Sequence, residues 1–281
     1  MHGICNALPE MVPSGRPTGG PMSDELLVEI DGPVARLVLN RPRVMNALNL
    51  TLTARLDQVL ADLVANDDVR VLVLTGTGPA FCAGADLKDV LASAAPAPGE
   101  PDFLDRAGAL CARLREFPKP VIAALNGITM AGGLELAMCA DIVLAAESAR
   151  IGDAHSNYGV YPGAGGAAVL PRVVPLNVAM YLLFTGGTLT ARQLQQYGFV
   201  NEVHADGELA AAADRLARML AGKSPAVLRR MKAVARHAAD RTREDALRHE
   251  QVMLREHQRS WDLQEGLRAF AEKREPQFRG R

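Results

Sequence analysis

From Leu26 to about residue 170 one pattern repeats along the chain: a short run of strand-forming residues, a loop carrying glycine, then a stretch with helical spacing. Alternation of this kind commits a chain to an α/β fold, since each strand needs a helix to cover it. Leu26–Ile30 and Val34–Leu39 flank Asp31-Gly32-Pro33 and read as a hairpin. Leu52, Leu56, Val59, Leu60 and Leu63 recur with the period of one buried helix face. Val71–Thr75 reads as a central strand ending at Gly76 and Gly78. Leu104, Ala107, Leu110, Cys111 and Leu114 form a second helical stripe that stops before Pro118, and Val121–Leu125 and Asp141–Ala146 are further strands. From about Leu176 the spacing turns almost wholly helical, ending in Arg-rich helices around 214–221, 226–237 and 243–259.

Composition narrows the function classes. A net charge of −1 spread along 281 residues offers no field for nucleic acid or an anionic membrane. The longest apolar stretch, 128–146, is interrupted by Glu135 and Asp141, so no membrane span is expected. Cys5, Cys82, Cys111 and Cys139 are scattered, without a C-x-x-C pair or His spacing suited to zinc. That usage fits a reducing, cytoplasmic setting and no structural metal. Residues 1–22 are rich in proline and lack a basic start or apolar block; they read as a disordered leader, not a secretory signal. A mobile loop is expected over Ala92–Pro98.

Two stretches carry the chemistry, Phe81–Leu87 and Asn126–Leu136. Each is a loop feeding a helix, and each therefore offers backbone N–H groups that no intrahelical carbonyl can take. Two such donors brought together would hold a developing oxyanion, the chemistry of an activated thioester carbonyl.

With three further segments in the same order, Arg41–Leu48, Tyr161–Gly166 and Glu265–Arg274, these motifs make the chain resemble the enoyl-CoA hydratase/isomerase (crotonase) family from about Leu26 to the C-terminus. The resemblance implies an α/β, crotonase-like ββα-spiral core over 23–200 and a C-terminal helical trimerisation region over 201–281. It also implies an acyl-CoA substrate, whose coenzyme A belongs to the substrate so that no separate cofactor is needed, and a homotrimer or dimer of trimers.

By the same matching, Ala85 and Gly132 would supply the oxyanion-hole amides, and Glu135, three residues after Gly132, would be a catalytic carboxylate within reach of the substrate's α or β carbon. If Gly132 opens a helix through Met138, the dipole adds to the hole. The family's second glutamate falls at His155, a departure that changes charge, reach and geometry. Two readings stay open there: imidazole as acid or base, with a pKa suited to neutral pH, or a pocket-wall histidine. Asp153 is expected to cap the following helix in preference to orienting the ring. Substrate contacts are expected from Arg43, Val44, Asn46, Ala83, Asp86, Leu87, Lys88 and Gly133. Lys88 would lie near the CoA phosphates; Arg43 and the C-terminal Phe270 and Lys273 would lie near the adenosine 3′-phosphate. Cys82 reads as a small buried thiol, and His204, His237, His249 and His257 as surface groups.

Three functions follow. The first is hydration of a 2-enoyl-CoA. The second is another reaction of the family, such as double-bond isomerisation, decarboxylation or thioester hydrolysis, because His155 replaces the second glutamate. The third, from a different class, is a non-catalytic CoA-ester binding protein.

Overall fold

The computed structural model describes residues 25–92 and 99–281. The expected leader, and the expected loop from residue 93 onward, lie outside the described residues. Among the described residues, ten strands, β1 to β10, form two sheets. The larger joins, in spatial order, β1 (Leu26–Asp31), β2 (Val34–Leu39), β3 (Val71–Gly76), β5 (Val121–Leu125), β7 (Ile142–Ala146) and β10 (Glu202–His204). Apart from the β1–β2 hairpin its neighbours run parallel. The smaller joins β4 (Ala80–Cys82), β6 (Ile128–Met130), β8 (Arg150–Gly152) and β9 (Thr188–Thr190).

Successive turns of a spiral link the two sheets: β3 leads to β4, β5 to β6, and β7 to β8, each step passing from the large sheet to the small one. The turns stack closely because of glycine. A Cβ on Gly127 would lie 2.1 Å from the Pro79 carbonyl oxygen of the preceding turn, so any side chain there would push the layers apart. Asn126 then bridges the two turns, accepting from the Gly76 N–H at 3.1 Å and donating to the carbonyls of Gly78 and Ala80 at 3.0 and 3.1 Å.

Helices α1 (Leu50–Ala65), α2 (Leu87–Ala92), α3 (Phe103–Arg115), α4 (Gly132–Ala137), α5 (Gly166–Val173), α6 (Leu176–Thr185) and α7 (Ala191–Gln196) follow the spiral. All five residues of the α1 stripe are buried, and Asn49 caps its start by accepting from the Leu52 N–H at 2.7 Å. The α3 stripe differs at one place: Leu104 is 61% exposed, and it lines the cavity described below.

The last third is less purely helical than its spacing suggests, since it holds β9 and β10. It continues with α8 (Leu209–Ala221), α9 (Pro225–Ala238), α10 (Arg243–His257) and α11 (Trp261–Glu272). Helix α8 lies beyond residue 201, yet it packs on β2, β3, β5 and β7 as a cover of the large sheet. Its buried face is Leu209, Ala212, Ala213, Ala217 and Ala221, and the four alanines let helix and sheet approach closely. The stretch read as a C-terminal helical subdomain, 201–281, thus includes β10, a strand of the large sheet, and α8, which packs on that sheet.

Candidate active site

Strands β4 and β6 are parallel neighbours, so the loops leaving their C-terminal ends open side by side. The first holds Ala83–Asp86, the second Ala131 and the start of α4. Leu48 pins the first loop, its N–H donating to the Gly84 carbonyl at 2.7 Å and its carbonyl accepting from the Asp86 N–H at 2.8 Å. Ala85, between those bonds, keeps its N–H out of this ladder. In the second loop Ala131 takes φ 49° and ψ −120°, a conformation costly for a residue with a Cβ. It turns the chain from strand to helix within one residue and leaves the Gly132 N–H as the first of the helix, without an intrahelical acceptor.

The two amides are close together. A Cβ built on Gly132 would stand 3.7 Å from the Ala85 nitrogen and 3.4 Å from the Gly84 Cα. Gly84, at φ 103°, itself has no room for a side chain, since a Cβ there would meet that of Ala131 at 2.9 Å. Among the described residues neither the Ala85 nor the Gly132 N–H donates to a protein acceptor. Both residues line a cavity of about 180 Å³ together with Leu48, Leu87, Phe103, Glu135 and His155. Helix α4 runs from Gly132 to Ala137 with Met138 as its C-cap, as expected, so the positive end of its dipole lies at the Gly132 N–H.

Glu135 is 4% exposed and reaches the cavity from the first turn of α4. Its Oε1 accepts from the backbone N–H groups of Ala164 and Gly166, both at 2.8 Å. These donors come from the Tyr161–Gly166 segment, whose last residue opens α5. A Cβ on Gly166 would meet Pro162 at 2.6 Å and the Asp153 carboxylate at 2.8 Å. Oε1 is thereby fixed, and Oε2 is the oxygen left to serve the cavity. The sequence signal for this bracket was the glycine run at 163–166, whose partner could not be read from spacing.

His155 opens a short 3₁₀ turn, 155–158, on the cavity wall. Its Nδ1 lies 2.9 Å from Oδ1 of Asp153, a carboxylate 1% exposed; the same oxygen accepts the His155 N–H at 3.3 Å. The expectation that Asp153 would chiefly cap the turn is corrected, because the turn's cap position belongs to Ala154, in a left-handed conformation (φ 62°). That conformation folds the chain so that the carboxylate meets the ring two residues on. Burial by itself would lower the His155 pKa, but the hydrogen bond and charge of Asp153, followed by the charge of Glu135, outweigh it and raise the pKa above 6.5.

The remaining expected contacts divide. Ala83 and Leu87 line the cavity. Asn46 is fully buried, and its amide is consumed in holding the loop: Oδ1 accepts from the Arg41 N–H at 2.8 Å, and Nδ2 donates to the carbonyls of Thr77 and Ala80 at 2.9 and 2.7 Å. Asp86 pairs with Arg41 at 3.0 Å. Gly133 is a packing position, since a Cβ there would fall 2.0 Å from the Cys82 carbonyl oxygen. Arg43, Val44 and Lys88 are exposed and do not line the cavity. Phe270, 86% exposed on α11, and Lys273, just beyond that helix, are likewise not brought to it. Cys82 is buried with its thiol pushed up to about 12, chiefly by desolvation, as expected of an inert thiol.

A family model described as enoyl-CoA hydratase/isomerase matches residues 29–281. The chain belongs to the enoyl-CoA hydratase/isomerase family. It is 38% identical over 262 residues to 1,2-epoxyphenylacetyl-CoA isomerase of Escherichia coli (strain K12), covering 92% of this chain and all of that protein. It is 36% identical over 257 residues to 2,3-dehydroadipyl-CoA hydratase of the same strain, covering 92% and 99%. The crystal structure of an enoyl-CoA hydratase from Bacillus anthracis superposes with a TM-score of 0.87 at 32% identity, covering 92% of this chain and 100% of that one. The spiral of two linked sheets is thus the crotonase fold. Among the described residues no helix is long and apolar enough to cross a membrane.

Proposed function

We propose that this enoyl-CoA hydratase/isomerase family enzyme binds an acyl-CoA thioester and stabilises its enolate, with hydration of a 2-enoyl-CoA as the reaction. One observation carries the reading: two unclaimed amides, a fixed carboxylate and a carboxylate-bound imidazole line one cavity. The thioester oxygen accepts from the N–H groups of Ala85 and Gly132, which hold negative charge as it moves onto that oxygen. Glu135, through Oε2, takes a proton from water as the water oxygen bonds to the β carbon. His155, with Nδ1–H held by Asp153, delivers its Nε2 proton to the α carbon. Asp153 thus allows a neutral-to-cationic residue to do the work of the family's second acid. No metal and no cofactor beyond the substrate's coenzyme A enters these steps, and the cytoplasm is the proposed setting.

The test is a panel of CoA thioesters with mass detection of products. Water addition to crotonyl-CoA or a longer 2-enoyl-CoA is expected, suppressed about 100-fold or more by Glu135→Gln and by His155→Ala separately. Isomerisation or thioester hydrolysis is the second reading, favoured by the His155–Asp153 pair itself. It gains if activity survives His155→Ala or if another thioester is preferred. Saturable binding without turnover of any thioester would reject both in favour of a binding protein.

A further inference from the structure

The charge around the acyl cavity is one-sided. Among the described residues, Glu135 and His155 are the acidic and basic side chains on its wall, and His155 is already paired with the buried carboxylate of Asp153. With imidazolium present, two carboxylates face one cation; with neutral imidazole, no cation offsets them. Either way negative charge is in excess. The rest of the described wall is uncharged. Val90 comes from α2, Phe103 and Leu104 from α3 and Val160 from the loop after the 3₁₀ turn, and the polar atoms of the other lining side chains are the Cys111 thiol and the hydroxyls of Tyr158 and Tyr161. The segment 93–98, which joins α2 toward α3, holds no charged residue in sequence.

The cations on the same helices are committed elsewhere. Arg106 donates to the Pro101 carbonyl at 3.2 Å, Arg113 pairs with Asp57, and Arg115 donates to Cys139 Sγ at 3.7 Å. None of the three lines the cavity, and neither does Lys88 of α2. Helix α4 and the 154–164 segment carry no Lys or Arg. Size sets a second limit. At about 180 Å³ the cavity is comparable with an apolar cavity of roughly 150 Å³ that holds benzene. It has room for an acyl chain of about six carbons, counting the thioester carbonyl and the reacting pair.

We propose that this cavity selects CoA thioesters with an uncharged, apolar acyl group of about six carbons and rejects those that end in a carboxylate. The proposal rests on the acyl-CoA reading above and adds the class of acyl group. A methyl at the far end of such a chain lies among apolar side chains and gains from burial. A carboxylate there loses its water, meets no cation and shares the cavity with Glu135. Leu104 is where the missing cation can be supplied. It lines the cavity and is 61% exposed, so a long cationic side chain in its place would lay its stem on apolar surface and keep its head hydrated.

The test compares 2-hexenoyl-CoA with 2,3-dehydroadipyl-CoA on the full-length chain, two thioesters of equal length that differ in a terminal methyl against a terminal carboxylate. The expected kcat/KM favours the hexenoyl ester by about 100-fold or more. Leu104→Arg is expected to narrow that ratio at least about tenfold by raising turnover of the carboxylate ester, while Leu104→Met, uncharged and similar in size, leaves the ratio in place. Comparable kcat/KM for the two esters in the unsubstituted protein would overturn the proposal, and that ratio carries the test if the arginine variant does not fold. A folded Leu104→Arg protein with an unchanged ratio would overturn it as well. Calorimetric binding of hexanoyl-CoA and adipyl-CoA, saturated esters that cannot be hydrated, separates this selection from the reaction. Absence of turnover with hexanoyl-CoA bound about 100-fold more tightly would reject the proposed reaction and keep the selection. Equal Kd values for the two, or no binding of either, would reject the selection whatever reaction is catalysed.

Discussion

Two adjacent glycines in α4 do opposite work, and one methyl group distinguishes them. A Cβ on Gly132 meets nothing closer than 3.4 Å, and its backbone φ is not in the glycine-only region, so Gly132→Ala is expected to fold. Helix propensity even favours alanine by up to about 1 kcal/mol. The new methyl would stand 3.7 Å from the Ala85 amide, in the space assigned to the thioester oxygen. Thermal unfolding should therefore be nearly unchanged while turnover falls about 100-fold or more. Gly133→Ala places its methyl 2.0 Å from a strand carbonyl that cannot move, and should cost about 3 kcal/mol or more of stability. A Gly132→Ala enzyme with full activity would remove the oxyanion role from this site. At His155 the prediction concerns pH. Asp153 and Glu135 raise its folded pKa above the unfolded value, so the imidazolium and its pairing are fully present below about 6.5 and are lost as pH rises through the raised value. If the imidazolium is the acid, kcat/KM for hydration declines along that limb. Asp153→Asn should lower kcat about 10- to 100-fold and move the limb toward lower pH, a shift that a purely structural aspartate would not produce.

Among the elements, those with a continuous apolar face were legible in the sequence and those held by charge or by distant pairing were not. The α1 stripe is wholly buried because nothing competes for it. Leu104 of α3 breaks its stripe because it faces a cavity, where apolar surface is kept for a ligand. Strands β9 and β10 have three residues each, too few to set a period of two, and are defined by partners many residues away. Helix α9 carries only a narrow apolar stripe beside a highly charged remainder. Its Lys232 and Arg236 reach Asp141, both at 2.6 Å, and donate to the Lys119 and Cys139 carbonyls, so charges take the place of an apolar stripe. The C-terminal segment after α11 follows the same rule. Glu265 binds Arg274 through both oxygens at 2.6 and 3.0 Å and accepts the Gln277 N–H at 2.9 Å, while Asp262 accepts the N–H groups of Arg279 and Gly280. Arg274 first, then the Gln277 amide, depress the Glu265 pKa to about 2. A depressed carboxylate contributes stability above its unfolded pKa of about 4.3, and that contribution disappears as pH falls toward the folded value. Hydrogen exchange of the Gln277, Arg279 and Gly280 amides is accordingly expected to accelerate in Glu265→Gln at neutral pH. The difference from the parent protein should vanish near pH 2, and equal protection at neutral pH would show that the carboxylate does not hold the segment.

At the scale of the whole molecule, the chain exposes several large apolar side chains at its helical end. Helix α10 has no buried residue along its 15 positions, and α9 is its main neighbour. Leu247 and Leu254 lie two turns apart on one side of α10, Met231 is exposed on α9, and Leu267 and Phe270 are exposed on α11. Tyr181 and Phe184 of α6, with Tyr158 of the turn that α6 contacts, form a second uncovered group. A helix with apolar positions at i and i+7 gains little as an isolated element, and most of its stability must come from tertiary or quaternary packing. Association of identical copies is the economical solution, because a closed ring covers the same patch on every subunit. The trimer or dimer of trimers that the family resemblance implies would give a particle of three or six times the 30.0 kDa mass of the chain, as light scattering on a sizing column would read it. Two aspartates at Leu247 and Leu254 should shift that mass toward the single chain as concentration falls, since each would place an unpaired charge in a desolvated contact. Because the α10 side chains make no core contact within one chain, the far-ultraviolet spectrum of the variant should keep its overall form. A variant that stays fully assembled at every concentration would mean that this face of α10 is solvent-facing in the assembly, and that the α6 group alone joins the copies.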